Sequence, residues 1–187
     1  MNYTPDQISS LPFAIFAGGC FWCTEHDFET LDGVVDVISG YSGGDEVNPT
    51  YEQIGSHKTH HREAVKIIYD PKITNFTNLV RNLLTHIDPT DGTGQFYDRG
   101  ESYEPVIFFG DSDEENIARG AIDQLNASKI FDKPVSVKVL PKKEFYPAED
   151  YHQNFSQTHY DRYCSYRTAS GKDEFLKKVW GDKKWVE

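Results

Sequence analysis

Positive charge is missing from the start of this chain: the first Lys or Arg is Lys58, and nine Asp and Glu precede it. Secretory and organellar leaders need early positive charge, so neither is expected. Cysteine is scarce too, with three in 187 residues. A disulfide-stapled secreted scaffold needs more of them, in even number, so a reducing compartment with a working thiol, the cytoplasm, is expected instead. No apolar run approaches the ~20 residues that span a bilayer, which removes a membrane from the expected partners. Nineteen Lys and Arg against 30 Asp and Glu leave a net charge of −11. Nucleic acid, which needs clustered cations to meet its phosphates, is not expected as a partner.

What is present centres on Phe16 to Glu25, Phe-Ala-Gly-Gly-Cys-Phe-Trp-Cys-Thr-Glu. An apolar run from Phe13 to Ala17 meets Gly18-Gly19 and then Cys20, where an amphipathic segment begins. Cys20 is therefore expected at a strand-to-helix junction. The positive dipole end and unpaired N–H groups of a helix start favour a thiolate, the nucleophilic form of Cys. The acidic surroundings act against this, since a negative field raises a thiol pKa. Cys23 follows one helical turn later on the same face, close enough for the two sulfurs to bond. Phe21 and Trp22 between them suggest an apolar pocket wall and a target carrying a small apolar group. Two other readings of the pair stand beside the redox one: simple burial, common for free Cys, and half of a zinc site, with His57, His60 and His61 as the remaining ligands. The gap from Cys23 to His57 is far longer than zinc-finger spacings.

At 187 residues one catalytic domain over 1–187 is expected, with a core at about 13–140 and an extension at about 141–187 packed on it. Residues 1–11 read as a polar lead-in. A strand from Phe13 precedes a helix over about 20–31 that ends at Asp32-Gly33. Val34 to Ile38, running on to Gly40, and Ala64 to Tyr69 read as strands, with turn chemistry from Ser42 to Thr50 between them. Phe76, Leu79, Val80, Leu83, Leu84 and Ile87 recur at helical spacing. Asp88 to Glu104 has no period, and so long a loop inside a domain is usually functional. Val106 to Phe109 is a strand; Ser112 with Glu115 reads as a capping box opening a helix. Val135, Val137 and Val139 alternate as a strand, and short helices are expected at Ala148 to Phe155 and Asp173 to Trp180. This order predicts an α+β two-layer sandwich, a ferredoxin-like βαββαβ core with an extra C-terminal strand, helices and long loops. It is not the thioredoxin order, which weakens a general disulfide oxidoreductase as the alternative function.

Away from the cysteines, Glu63 opens a strand; buried in a pocket, its carboxyl would stay protonated and become a proton donor. Tyr51 ends one loop, and Asp98 and Tyr103 sit in the other.

Gly19-Cys20-Phe21-Trp22-Cys23, Gly40-Tyr41-Ser42-Gly43-Gly44, Asn48-Pro49-Thr50-Tyr51, His61-Arg62-Glu63-Ala64-Val65, Asp88-Pro89-Thr90-Asp91, Gln95-Phe96-Tyr97-Asp98-Arg99-Gly100 and Ala148-Glu149-Asp150-Tyr151-His152-Gln153 occur in that order. Together they resemble peptide methionine sulfoxide reductase of the A type. The resemblance implies that Cys20 attacks the sulfoxide sulfur, that Glu63 is the acid, and that Tyr51 and Tyr103 bond the oxygen. It implies that Asp98 orders the site and that Phe21 and Trp22 wall the methyl pocket. The products are then methionine and a Cys20 sulfenic acid, which a second thiol must resolve. Many family members have Gly after the Trp and resolve with Cys residues in a C-terminal tail. This chain has Cys23 there, which resembles the sub-pattern in which the nearby Cys resolves, leaving Cys164 a secondary thiol. The resemblance further implies the S epimer of methionine sulfoxide, free or in oxidised proteins, no bound cofactor or metal, and thioredoxin as external dithiol reductant; a monomer is expected. Glu104, where related sequences often have Arg, and Phe155, where some have Tyr, depart from the pattern.

Overall fold

The computed structural model describes residues 3–181. Its elements are α1 (Pro5–Ser9), β1 (Phe13–Ala17), α2 (Phe21–Glu29), β2 (Val34–Ser42), α3 (Tyr51–Gly55), β3 (Arg62–Tyr69), α4 (Phe76–Thr85), β4 (Gly94–Gln95), β5 (Asp98–Arg99), β6 (Val106–Phe109), α5 (Ser112–Ser128), β7 (Lys138–Pro141), β8 (Phe145–Pro147), α6 (Phe155–Thr158), α7 (Tyr160–Ala169) and α8 (Lys172–Val179). Six strands form one sheet in the order β7-β6-β1-β3-β2-β8, and β4 pairs with β5 separately. The inner four, β6-β1-β3-β2, are all antiparallel to their neighbours, which is the expected ferredoxin-like core. β8 adds to β2 antiparallel and β7 to β6 parallel, the latter through the α5 crossover.

The elements follow from their residues. β1 is a continuous apolar run, and β3 is apolar from Ala64 on except for Lys66, because both lie in the middle of the sheet, covered on both sides. α4 starts at Asn75, whose side chain accepts from Asn78 N–H. It then buries Leu79, Val80, Leu83 and Leu84 completely, each worth roughly 1.5–3 kcal/mol of burial. These side chains join Phe16, Phe28, Ile67 and Ile107 in the main core between the sheet and α2, α4 and α5. The opposite sheet face carries a smaller cluster of Ile15, Ala17, Ala64, Val106 and Phe108.

Several expectations need correcting. The polar lead-in contains α1, capped by a reciprocal Thr4–Gln7 box, and α3 is capped in the same way by Thr50 and Gln53. α5 is capped by Asp111 rather than Ser112: its carboxylate accepts from Asp113 and Glu114 N–H, which a hydroxyl one residue later is not placed to do. The strand expected from Val135 begins only at Lys138, because Val135 N–H donates to the Asn126 side chain and Ser136 N–H to Pro89 carbonyl. Between Ala148 and Phe155 there is a 3₁₀ turn, Asp150–His152, and α6 starts only at Phe155 after Asn154 adopts a left-handed φ of 51°. That turn is held by Glu25, a fully buried carboxylate of α2 that accepts from Asn154 N–H (3.0 Å) and Phe155 N–H (3.3 Å). β8 and α7 were not foreseen. The loop from Asp88 to Glu104 is ordered, with the Gln95 amide spanning Asp88 N–H and carbonyl at 2.8 Å each and a 3₁₀ turn over Glu101–Tyr103.

Antiparallel pairing places the end of β1 beside the starts of β3 and β6: Phe16 faces Val65 and Ala17 faces Val106. Residues just after β1 and just before or at the starts of β3 and β6 therefore meet at one end of the sheet.

Candidate active site

Cys20 leaves β1 through Gly18-Gly19 and caps α2, its carbonyl accepting from Cys23 and Thr24 N–H at 3.1 Å each. Gly19 has φ +87°, and a Cβ there would lie 2.6 Å from Gln95 Cβ, so only glycine fits this turn. Glu63, at the start of β3 and opposite Tyr41 of β2, reaches the same spot. Its Oε2 accepts Phe21 N–H at 3.0 Å, and the Tyr103 hydroxyl bonds to it as well. Around them a cavity of about 100 Å³ is lined by Cys20, Phe21, Trp22, Tyr51, Glu63, Asp98, Tyr103 and Tyr166. That is room for a few heavy atoms, well below a drug-sized pocket.

All seven pocket residues expected from the sequence are thus brought together. Tyr51 opens α3, Asp98 lies in β5 and Tyr103 closes the 3₁₀ turn before β6. Phe21 stacks on Tyr51 with ring centres 6.3 Å apart. Trp22 donates from Nε1 to His152 Nδ1 at 3.1 Å and stacks on Phe155 at 3.8 Å. Sequence reasoning missed Tyr166, whose hydroxyl donates to Asp98 Oδ2 across the cavity from α7. It also missed His152 and Phe155 as supports of the aromatic wall; the Ala148-to-Gln153 motif named His152 without giving it a role.

Burial pushes Glu63 from 4.5 up to about 8, with nearby Asp98 adding to the shift and the Phe21 and Tyr103 bonds opposing it. At neutral pH the carboxyl carries a proton inside the pocket. Tyr51 is pushed up to about 12, also chiefly by burial and then by Glu63. Burial raises Asp98 as well, against the Tyr166 bond.

Of the two opposing influences expected on the thiol, the raising one prevails. Cys20 is 9% exposed, and burial, its bond to Cys23 and the charges of Glu63 and Asp98 push it well above the ordinary thiol value. The first free N–H of the helix start, that of Phe21, is given to Glu63 and not to the sulfur. Cys23 is buried beside Phe155 and Tyr163, with Cys164 of α7 packed against the same cluster, outside the cavity. All three cysteines are unbridged. The histidines go elsewhere: His60 Nδ1 pairs with Glu101 at 3.0 Å, and His61 lies against Gly44 N–H and the Glu46 carbonyl. Among the described residues no group of three or more His, Cys, Asp or Glu is placed to hold a metal ion, and no helix is long and apolar enough to cross a membrane. Glu104 is engaged by Arg62 and Lys138 at 2.9 and 2.6 Å and does not line the cavity.

A family model described as peptide methionine sulfoxide reductase matches residues 13–184. The chain belongs to the peptide methionine sulfoxide reductase family. Peptide methionine sulfoxide reductase MsrA 2 of Staphylococcus aureus is 47% identical over 170 residues, covering 91% of this chain and 96% of that protein. MsrA/MsrB of Vibrio cholerae is 48% identical over 168 residues, 90% of this chain and only 44% of that longer protein. The reductase is accordingly of the A type, and an oxidoreductase. Reduced Mxr1 from Saccharomyces cerevisiae superposes with a TM-score of 0.74 at 25% identity, over 84% of this chain and 88% of that one. Methionine sulfoxide reductase A of Corynebacterium diphtheriae does so at 0.69 and 29%, over 78% and 74%. Mxr1 in complex with Trx2 shares the reductase fold at 0.56 and 20%, over 83% and 89%.

Proposed function

We propose that this reductase converts methionine S-sulfoxide, in proteins or free, to methionine through a sulfenic acid on Cys20, and that Cys23 resolves that acid. The observation that carries the reading is the meeting of the Cys20 sulfur with a buried, protonated Glu63 in a small aromatic-walled cavity. Sulfoxide oxygen leaves or moves only when it gains a proton, and Glu63 is a carboxyl kept neutral for that task. Tyr51 and Tyr103 are hydroxyl donors to the oxygen, Asp98 orders the polar side, and Phe21 and Trp22 hold the methyl group. The Cys20 sulfur bonds to the sulfoxide sulfur as the oxygen takes the Glu63 proton. Collapse of that adduct passes the hydroxyl to Cys20 and returns the Cys20 proton to Glu63, so one thiol and one sulfoxide become one sulfenic acid and one thioether.

Cys23 then displaces water from the sulfenic acid to give a Cys20–Cys23 disulfide. Thioredoxin is the reductant we assign to that disulfide, in line with the Trx2 complex of Mxr1. A secondary role for Cys164, a cytoplasmic location, a monomeric state, a single catalytic domain over 1–187 and the lack of any bound cofactor or metal belong to the same reading.

The test is turnover of separated sulfoxide epimers with thioredoxin. Cys20→Ser should release no methionine, and Cys23→Ser should release about one per chain and stall. Mass spectrometry after sulfoxide treatment without reductant should find Cys20 joined to Cys23. A Cys20–Cys164 linkage as the main product refutes the role given to Cys23, and an active Cys20→Ser chain refutes the mechanism.

A further inference from the structure

A buried ionic cluster lies behind the second thiol. Asp27 stands one helical turn beyond Cys23 on α2 and is 4% exposed. Lys172 Nζ of α8, in a residue 2% exposed, donates to Asp27 Oδ2 at 2.5 Å, and Arg167 of α7 donates to Oδ1 at 2.8 Å. The same Arg167 nitrogen donates to the Tyr163 hydroxyl at 2.9 Å, and Tyr163 packs on Cys23. Arg167 also meets Asp173, but that side chain is 57% exposed and its charge is screened by water. Asp27 is thus a single buried carboxylate shared by the buried Lys172 and the half-buried Arg167. Unbalanced charge is expensive in an interior, so a nearby group should carry a negative charge in some state of the enzyme.

Cys23 faces Cys20 and Asp27 from its own segment and Glu63 from β3; Lys172 of α8 and Arg167, Tyr163, Cys164 and Tyr166 of α7 complete its charged and titratable surroundings. Burial raises Tyr163 and Tyr166 still further above the ordinary phenol value, so both stay uncharged, and the carboxyl of Glu63 is itself pushed toward neutrality. Cys23 is the group left to balance the cations.

We infer that Lys172 and Arg167 are positioning residues that hold Cys23 as the thiolate of the resting pair, with the shared proton on Cys20. The inference deepens the proposed function and rests on Cys23 being the resolving thiol. The two sulfurs are hydrogen-bonded, and they move in opposite directions from the ordinary thiol value. Cys23 is lowered by the Cys20 bond, by Lys172 and by Arg167, against its burial and Asp27; Cys20 is raised. A preformed Cys23 thiolate attacks the Cys20 sulfenic sulfur as soon as it forms. The S–S bond forms, the S–O bond breaks, and the departing hydroxide takes the Glu63 proton to leave as water.

Thiolate absorbance at 240 nm tests this in the Cys20→Ser, Cys164→Ser chain, where Cys23 is the sole cysteine. Lys172→Met should raise the titration midpoint by at least about one pH unit, a tenfold change in acid dissociation. Lys172→Arg should restore it, and Asp27→Asn, which removes the anion, should lower it. A merely structural cluster would not move the midpoint in opposite directions. Midpoints that stay together in all variants, or that rise in Asp27→Asn as in Lys172→Met, would overturn the inference. With Cys20 restored, Lys172→Met should slow Cys20–Cys23 disulfide formation about tenfold at neutral pH and recover in alkali. A Cys20–Cys164 product in the unmodified chain would instead refute Cys23 as resolver and leave the titration result standing, so the two failures are distinguishable.

Discussion

Replacing Glu63 by Gln exchanges a buried carboxyl for a neutral amide of nearly the same shape, and it should change both the rate and the pH dependence of stability. With its pKa near 8, about nine in ten of the folded molecules hold the Glu63 proton at neutral pH. Single-turnover methionine release should therefore fall about tenfold per pH unit once pH passes about 8, as the acid is lost. Glu63→Gln should lose that falling limb and about 10²–10⁴-fold of the rate below it. The stability effect has a defined sign. Between its unfolded value of 4.5 and about 8 the folded chain binds a proton that the unfolded chain has released. Stability from this group is thus full below the lower value and is lost as pH rises through the upper one. At 1.36 kcal/mol per unit, the loss is about 5 kcal/mol at most. Urea unfolding of both proteins from about pH 5 to about pH 9 reads it directly: the variant should gain several kcal/mol relative to the parent toward the alkaline end. Glu25, raised by burial to about 7, titrates in both proteins and cancels in the difference. Stability profiles that run parallel, together with a falling rate limb that survives in the variant, would refute the reasoning.

Tyr166→Phe removes the hydrogen bond that holds Asp98 down, so the acid limb of kcat/KM should shift to higher pH; an unmoved limb would separate Asp98 from this partner. Gly19→Ala forces a Cβ to 2.6 Å from Gln95 Cβ at a φ of +87° and should cost about 1–3 kcal/mol, read as a lowered Tm. An unchanged Tm would mean that the turn relaxes freely. Glu25 becomes charged as pH rises past about 7 and then grips Asn154 and Phe155 N–H more strongly, tightening Phe155 on Trp22. Tryptophan fluorescence should follow that titration in the parent and lose it in Glu25→Gln; a parent signal that is flat across neutrality would refute the coupling.

The core strands and the cysteine junction could be read in the sequence because their signals are local. Apolar runs mark β1 and β3, and two glycines separate β1 from the α2 cap. The reciprocal caps at Thr4 and Thr50 are local too, but each opens a helix of only five residues inside a polar stretch with no apolar period to mark it. Other features were hidden because their causes lie far along the chain. β8 has only three residues and exists by pairing with β2. Asn154 breaks the expected helix because a carboxylate 129 residues earlier takes its N–H. Tyr166 sits on an almost wholly polar α7, with no period to show that its hydroxyl reaches Asp98. Which of the opposing influences on Cys20 prevails was hidden for the same kind of reason: the burial and the carboxyls that raise it come from elements far along the chain, and Glu63, more than 40 positions away, takes the Phe21 N–H.

The burial and neighbouring charges that raise Cys20 bear on which reagents its sulfur can meet. Peroxides and electrophiles select sulfurs by charge and access together. Here the sulfur that opens to the cavity is held as a thiol, while its partner at position 23 is sealed behind Phe155 and Tyr163. Neither offers both properties at once. The cavity sulfur is thus guarded by its proton and the other by its burial.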